Sequence, residues 1–410
     1  MRLIVENFRS IRSEAIDLAP ITVLYGPNAG GKSSLLYALA CFRNIVVNPN
    51  QQTVGFFNLG SVNLGDFETV VFDHRKQEGI LFCLEWSEEA AGLSYKVSIG
   101  QDRGRFEIHS GKPYDFAMSL GVTFPYPANQ LTKHSFKVDG AEISIQWNGI
   151  LAQSAAPPQS VQQTGVELLE RLNSRAEVLR NVTLVPLVRG FFKPQYSPVP
   201  PTPTMLNEDQ VATYLATNRW ALYEVSRHLE KILGRQLQYY AAPGTALFTL
   251  DSIDRESGAA CALVNDGFGV NQVAYLLAYL VQREQRIVCF EEPEIHLHPS
   301  AVRNLAAVLA ELAMKEHKRF VFSTHSEALV WAFLAIVKRG QLSPDDLACY
   351  FVRKDGKESR FERQAVNAAG QIEGGLRDFV KAELQDLSEL LGVAPEDAEG
   401  EDAKPAVRSE

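Results

Sequence analysis

Gly26-Pro27-Asn28-Ala29-Gly30-Gly31-Lys32-Ser33 satisfies every fixed position of the pattern G-x-x-x-x-G-K-[ST], and its flanks decide how it reads. Upstream, Ile21-Thr22-Val23-Leu24-Tyr25 is β-branched and apolar, as a buried parallel strand would be. Downstream, Ser34-Leu35-Leu36-Tyr37-Ala38-Leu39-Ala40 carries helical periodicity and strong helix formers. Strand, glycine turn and helix together make a phosphate-binding loop. A triphosphate needs backbone N–H groups converging at close approach, which glycine permits, and the positive end of a helix dipole. On this reading Gly26, Asn28, Gly30, Gly31 and Ser34 form the nucleotide cradle, Lys32 contacts the β- and γ-phosphates, and Ser33 is a ligand of Mg²⁺.

The rest of the chain must build a sheet around that strand. The 410 residues are 46% hydrophobic and 22% charged, enough for a sizeable core in two or three lobes. A formal charge of −9 gives no whole-surface attraction to nucleic acid, so DNA as a partner would need a local basic groove. Cys41, Cys83, Cys261, Cys289 and Cys349 are scattered without metal spacing and read as free thiols in a reducing compartment. No signal peptide and no run of about 18 uncharged apolar residues is present, which points to a cytoplasmic protein without a membrane partner.

Residues 1–92 read as an N-terminal lobe with strands at Leu3–Val5, near Ala15-Ile16, at Ile21–Tyr25, at Glu68–Phe72 and at Gly79–Trp86. From 93 to 245 short alternating segments mix with proline-rich connections, and Pro198, Pro200, Pro201 and Pro203 exclude a helix or central strand there. This span is expected to be an inserted α+β arm, with helices at Ser160–Leu179 and Asp209–Leu233. Alternation of strand and helix returns over 246–391, implying a parallel sheet covered on both faces and a final helix at Leu376–Leu391. Residues 392–410, acidic and small, read as a disordered tail.

Three further motifs belong to the same chemistry. Arg286–Phe290 is a buried strand ending in Glu291-Glu292-Pro293; placed beside the phosphate-loop strand it would bring both acids to the carboxyl edge of the sheet. Adjacent strand residues point oppositely, so Glu291 is assigned to Mg²⁺ and Glu292 to the attacking water as its catalytic acceptor. Phe320-Val321-Phe322-Ser323-Thr324-His325 repeats the layout and puts His325 near the γ-phosphate. Asn265-Asp266-Gly267-Phe268-Gly269-Val270-Asn271 opens a helix, and the length of that helix suggests that Gly267, Gly269 and Asn271 lie far from the chain's own carboxylates, free to cap the nucleotide of a second copy.

In this order the motifs resemble the ABC-type ATPase heads of the SMC, RecF and OLD group, specifically the stand-alone bacterial AAA_15/AAA_21 ATPases. Asn7-Phe8-Arg9-Ser10, Gly26–Ser33, Gly267–Gln272, Glu291–Pro299 and Ser323–Ser326 carry the resemblance over residues 1 to about 90 and 245 to about 390. It implies a P-loop NTPase of ABC-head type, a parallel-sheet core with an edge antiparallel β layer. It also implies a homodimer or higher homo-oligomer that sandwiches ATP, with the signature at Gly267–Asn271 acting in trans, Lys32 and Ser33 as Walker A, Glu291 and Glu292 as Walker B and His325 as the switch histidine. Such ATPases often serve anti-phage defence or DNA maintenance beside a separate nuclease or toxin, which makes an effector protein the implied partner. The alternative is a nucleotide-gated scaffold that sequesters such an effector with little turnover.

Departures from the family pattern also carry information. Glu291 stands where transporter ATPases carry aspartate, and the signature lacks Leu-Ser-Gly-Gly-Gln wording, which argues against a transporter subunit. Gln51 and Gln52 are the candidates for the Q-loop glutamine. After the ATPase the chain leaves no room for a Toprim domain, so no nuclease chemistry of its own is expected. His296 and His298 beside three glutamates have the composition of a metal site, but they fall in the family's post-Walker B loop, and His298 is expected at the dimer interface.

Overall fold

The computed structural model describes residues 1–86, 92–112, 114–138, 141–155, 163–202 and 204–372. The expected helix at Leu376–Leu391 and the tail lie outside them.

β1 (Arg2–Phe8) and β2 (Ile11–Asp17) form a hairpin, followed by β3 (Ile21–Tyr25) and α1 (Lys32–Val47). Two short helices, α2 (Thr53–Phe56) and α3 (Phe67–Val70), lead to β4 (Ile80–Trp86). Residues Glu68–Phe72 are therefore helical in part, not a strand: the Asp66 side chain accepts from Thr69 N and starts a turn. Then come β5 (Leu93–Ile99), β6 (Arg103–Ser110) and β7 (Phe116–Thr123). These complete one antiparallel sheet in the order β2-β1-β4-β5-β6-β7. A lobe boundary at residue 92 would cut that sheet between β4 and β5, whose partners run from Ile80↔Ile99 to Trp86↔Leu93.

β8 (Thr132–Val138), β9 (Ala141–Trp147) and β10 (Ala152–Ser154) make a three-stranded sheet, followed by α4 (Gln163–Arg180). β11 (Val182–Leu184) pairs in parallel with β15 (Ile287–Glu291), so the span expected to be an insert contributes an edge strand to the central sheet. The single helix expected over Asp209–Leu233 is two, α5 (Glu208–Thr217) and α6 (Arg219–Leu233), because Asn218 leaves helical geometry and caps the second. β12 (Arg235–Ala241), β13 (Phe248–Asp254) and β14 (Ala260–Ala262) form a small sheet that precedes α7 (Phe268–Leu280). After β15 come α8 (Pro299–Glu316), β16 (Arg319–Thr324), α9 (Glu327–Lys338), β17 (Leu347–Asp355) and β18 (Glu358–Gln364).

The central sheet runs β11-β15-β16-β3-β17-β18, parallel except for the last strand. β16 thus lies between β3 and β15, and the carboxylate strand is not the direct neighbour of the phosphate-loop strand. Alternate residues of these strands enter different cores. Leu24, Ile287 and Cys289 join a core shared with α1, α4 and the antiparallel sheet. Val23, Val288 and Phe290 join one shared with α5 to α9. Burial on both faces is why these strands read as continuous apolar runs.

Candidate nucleotide-binding site

The loop between β3 and α1 is pressed onto the β17–β18 hairpin. A Cβ on Gly31, whose φ is +108°, would sit 2.0 Å from Ser359 Oγ, and one on Gly26, with φ +134°, 2.3 Å from the Val352 carbonyl. Both positions demand glycine for conformation and for space. The first N–H groups of α1 have no intrahelical acceptor and open toward a cavity of about 600 Å³. Asn28, Gly30, Gly31, Lys32, Ser33, Ser34, Glu291, Glu292 and His325 all border it. The sheet edge and helix N-terminus therefore gather the residues expected from Walker A, Walker B and the switch.

Lys32 is buried, with Nζ donating to the Gly26 and Pro27 carbonyls at 2.9 Å each. Burial lowers its pKa, while the Glu292 and Glu291 carboxylates oppose that shift. Ser33 Oγ donates to Glu291 Oε2 at 2.5 Å. β16 lies between β3 and β15, so this bond reaches from the first turn of α1 past the intervening strand. A hydroxyl and a carboxylate are hard oxygen donors of the kind that hold Mg²⁺ together with substrate phosphates. Among the described residues no group of three or more His, Cys, Asp or Glu is placed to hold a metal by itself, so the cation fits here only with phosphate oxygens.

Glu292 sits at φ +44°, and its N–H donates to the Ser323 carbonyl at 2.9 Å. That turn sends its carboxylate into the cavity, with Oε1 3.6 Å from His325 Nε2. Burial lowers the His325 pKa first and Lys32 adds to this, against the pull of Glu292. The imidazole is therefore neutral near pH 7. Behind it, Thr324 Oγ1 donates to Oε1 of the half-buried Glu294 at 2.5 Å, and the His325 N–H reaches the same oxygen at 3.3 Å. Burial raises the Glu294 pKa.

Four residues of the site carried no assignment from sequence. Arg9 and Lys354 add positive charge to the cavity wall, and Ser10 joins them there. Arg9 was visible within the Asn7–Ser10 motif, yet only the fold turns it over the Tyr37 ring, 5.0 Å from its centre. Tyr37 OH donates to Glu291 Oε1 at 2.8 Å. Its signal was the i,i+4 spacing from Ser33. Ser34 Oγ lies 3.3 Å from Ser10 Oγ, at the cavity rim.

Other expectations need correction. Gln51 and Gln52 lie beyond the far end of α1, a helix of 16 residues and about 24 Å, and among the described residues no glutamine borders the cavity. Gly267, Gly269 and Asn271 do not border the cavity that holds their own chain's acids, although the motif lies at the same sheet edge. α7 leads back into β15 antiparallel to it, so its N-terminus returns to the carboxyl edge, where a Cβ on Gly269 would lie 2.8 Å from the His296 carbonyl. Asn271 faces inward: Oδ1 accepts from Phe191 N at 2.6 Å, and Nδ2 donates to the Phe191 and Leu263 carbonyls. It clamps backbone instead of offering a surface amide. Gly267 has open space where a Cβ would stand. The two histidines part company, His298 capping α8 at Ser300 and His296 packing its ring 5.5 Å from that of Phe268.

Comparison with known proteins agrees with this fold. A family profile described as AAA ATPase domain, AAA_15, matches residues 1–83 and 207–330. The DNA replication and repair protein RecF of Chlorobium luteolum is 30% identical over 123 residues, 29% of this chain and 28% of that protein. The OLD nuclease of Thermus scotoductus is 22% identical over 385 residues, 87% of this chain. The chain spans 65% of that nuclease's length. Among solved structures, an SMC head bound to the C-terminal winged-helix domain of ScpA matches with a TM-score of 0.50 at 13% identity, covering 90% of this chain and 98% of that one, a likeness of fold. No described helix is long and apolar enough to cross a membrane. With a Walker-type cavity at the edge of a P-loop, ABC-like sheet and a profile covering half of its residues, this chain belongs to the AAA_15 family of ATPase domains, in the SMC, RecF and OLD class.

Proposed function

We propose that the protein is an ATP-hydrolysing switch. The observation that carries this reading is one cavity holding Ser33 bonded to Glu291 and Glu292 3.6 Å from His325. In it Lys32 would exchange its two carbonyl partners for β- and γ-phosphate oxygens, and α1 would present its free N–H groups to them. Ser33 and Glu291 would hold Mg²⁺, which supplies neutralisation of charge on the phosphate oxygens. Glu292 orients a water and accepts its proton as the water oxygen bonds to the γ-phosphorus and the bond to the β-bridging oxygen breaks, leaving ADP and phosphate. His325, neutral, holds Glu292 or the γ-phosphate in line.

A second copy completes the site in this reading. The open surface at Gly267 and the exposed Phe268, with His298 on the same edge, would meet the nucleotide face of the partner. ATP closes the homodimer and hydrolysis opens it, passing the change to an effector protein or to DNA in anti-phage defence or DNA maintenance. The test is phosphate release and solution mass with Glu292→Gln. Wild type should hydrolyse ATP, and the variant should bind ATP, stop turning over and associate in its presence. A wild-type protein that binds ATP without releasing phosphate would sink the hydrolase reading.

A further inference from the structure

Arg189 is 3% exposed and lies on the segment between β11 and α5, outside every motif of the sequence. Its Nη1 donates to the Glu291 carbonyl at 2.7 Å and its Nη2 to the Glu292 carbonyl at 2.5 Å. A planar guanidinium meets the two successive carbonyls through two separate nitrogens held in a fixed fork, a geometry a single ammonium nitrogen does not reproduce. These are the two peptides on which the site's acids turn. Glu292 takes a left-handed backbone, φ +44°, that a residue with a side chain holds only when its surroundings impose it. Arg189 grips that turn through its backbone carbonyls and does not itself border the cavity. Burial lowers its pKa, against the nearby carboxylates of Glu294, Glu292 and Glu291.

The same segment is tied at its other end. Gly190, at φ +144°, bends the chain so tightly that a Cβ would meet Asn271 Oδ1 at 2.9 Å. Phe191 then exchanges hydrogen bonds with the Asn271 amide in both directions, at 2.6 and 2.8 Å. Three consecutive residues thus join the N-terminal turn of α7 to the backbone of the Glu291–Glu292 turn. We infer that Arg189 is a positioning residue for hydrolysis, holding the Glu292 turn in its productive shape and linking that shape to the position of α7. This rests on the hydrolase reading above. Ground-state nucleotide binding depends on Lys32 and the α1 N-terminus, which Arg189 does not touch, so its loss should act on turnover.

Phosphate release, binding of a fluorescent ATP analogue and thermal unfolding of Arg189→Gln and Arg189→Lys, beside wild type, test this. The expected result is a fall in kcat of about 10- to 100-fold for Arg189→Gln, the size of a small misplacement of a catalytic group. Arg189→Lys, keeping the charge and one contact, should fall in between, and nucleotide affinity should stay within about threefold of wild type in both. Asn271→Ala should lower kcat in the same direction, and adding it to Arg189→Gln should cost less than the sum of the two, since both break one linkage. Should Arg189→Gln fail to fold, Arg189→Lys decides. Undiminished kcat in the variants, or loss of kcat only in step with affinity and unfolding temperature, would overturn the inference. Absence of turnover in wild type would instead overturn the hydrolase reading on which it stands.

Discussion

Tyr37 and Ser33 hold the two oxygens of one carboxylate: Tyr37 OH donates to Glu291 Oε1 at 2.8 Å and Ser33 Oγ to Oε2 at 2.5 Å. Both hydroxyls stand on one face of α1, four residues apart. Burial and the Glu291 charge push the Tyr37 pKa up, so the phenol remains a donor. If Ser33 and Glu291 hold Mg²⁺ as proposed, Ser33 would turn to the ion and Tyr37 would be left to fix the plane of Glu291.

Tyr37→Phe should therefore leave ATP binding without metal unchanged and raise the Mg²⁺ concentration for half-maximal turnover about tenfold, the usual effect of removing a ligand's supporting hydrogen bond. Mn²⁺ titration followed by electron paramagnetic resonance gives the affinity directly. An unchanged metal affinity would show that Ser33 alone orients Glu291.

Two glycines should respond in opposite ways. Gly31→Ala adds a methyl group at φ +108° into Ser359, so nucleotide binding should be lost and unfolding should come earlier. Gly267→Asp meets open space at φ −59°, so the monomer should keep its unfolding temperature. In the Glu292→Gln background, however, it should abolish ATP-driven association measured by solution mass. Association that survives Gly267→Asp would exclude the trans contact.

His325 has its pKa lowered by burial and by Lys32. The folded site therefore keeps a neutral imidazole down to pH values below the ordinary histidine range, about 6.5. Turnover should be flat through pH 7 and fall on an acid limb lying below that value. His325→Gln should lower kcat about 10- to 100-fold and remove that limb. A limb lying above the ordinary histidine value would contradict the electrostatics of the site.

A second histidine tests stability. His228 is fully buried between α6 and α8, and its pKa is lowered to about 4 by burial, then by Arg227, with Lys231 lowering and Glu311 and Glu224 raising it. Below its unfolded value of about 6.5 the unfolded chain binds a proton that the folded one refuses, so stability falls as pH drops. By pH 5 the loss amounts to about 2 kcal/mol. Urea unfolding of wild type and His228→Gln at pH 7 and pH 5 should show a smaller acid loss in the variant by about that amount.

Much of the site was legible because its chemistry is local in sequence. Gly26–Ser33 reads as a cradle since every donor comes from one turn, and Glu291, Glu292 and His325 read as site residues since each ends an apolar strand at the same sheet edge. The elements that failed to read did so for identifiable reasons. Asn218 interrupts the expected helix because a capping side chain outcompetes helix continuation, and Gln51-Gln52 attracted attention by residue type although α1 carries them away from the phosphates. β5 to β7 looked like the start of an arm, because an antiparallel strand does not announce which sheet it joins.

By itself, then, the sequence determined the phosphate loop, the strand-end acids and histidine, and the alternation that builds a parallel sheet, all of them properties of contiguous residues and their periodicity. Tertiary structure alone decided that β16 separates β3 from β15, that β11 closes the sheet edge, that Asn271 turns inward, and that Arg9, Tyr37 and Arg189 converge on the site. Glu291 lies 254 residues from Tyr37 and 102 from Arg189, and only the packing of helices onto the sheet brings such distant side chains within hydrogen-bond reach.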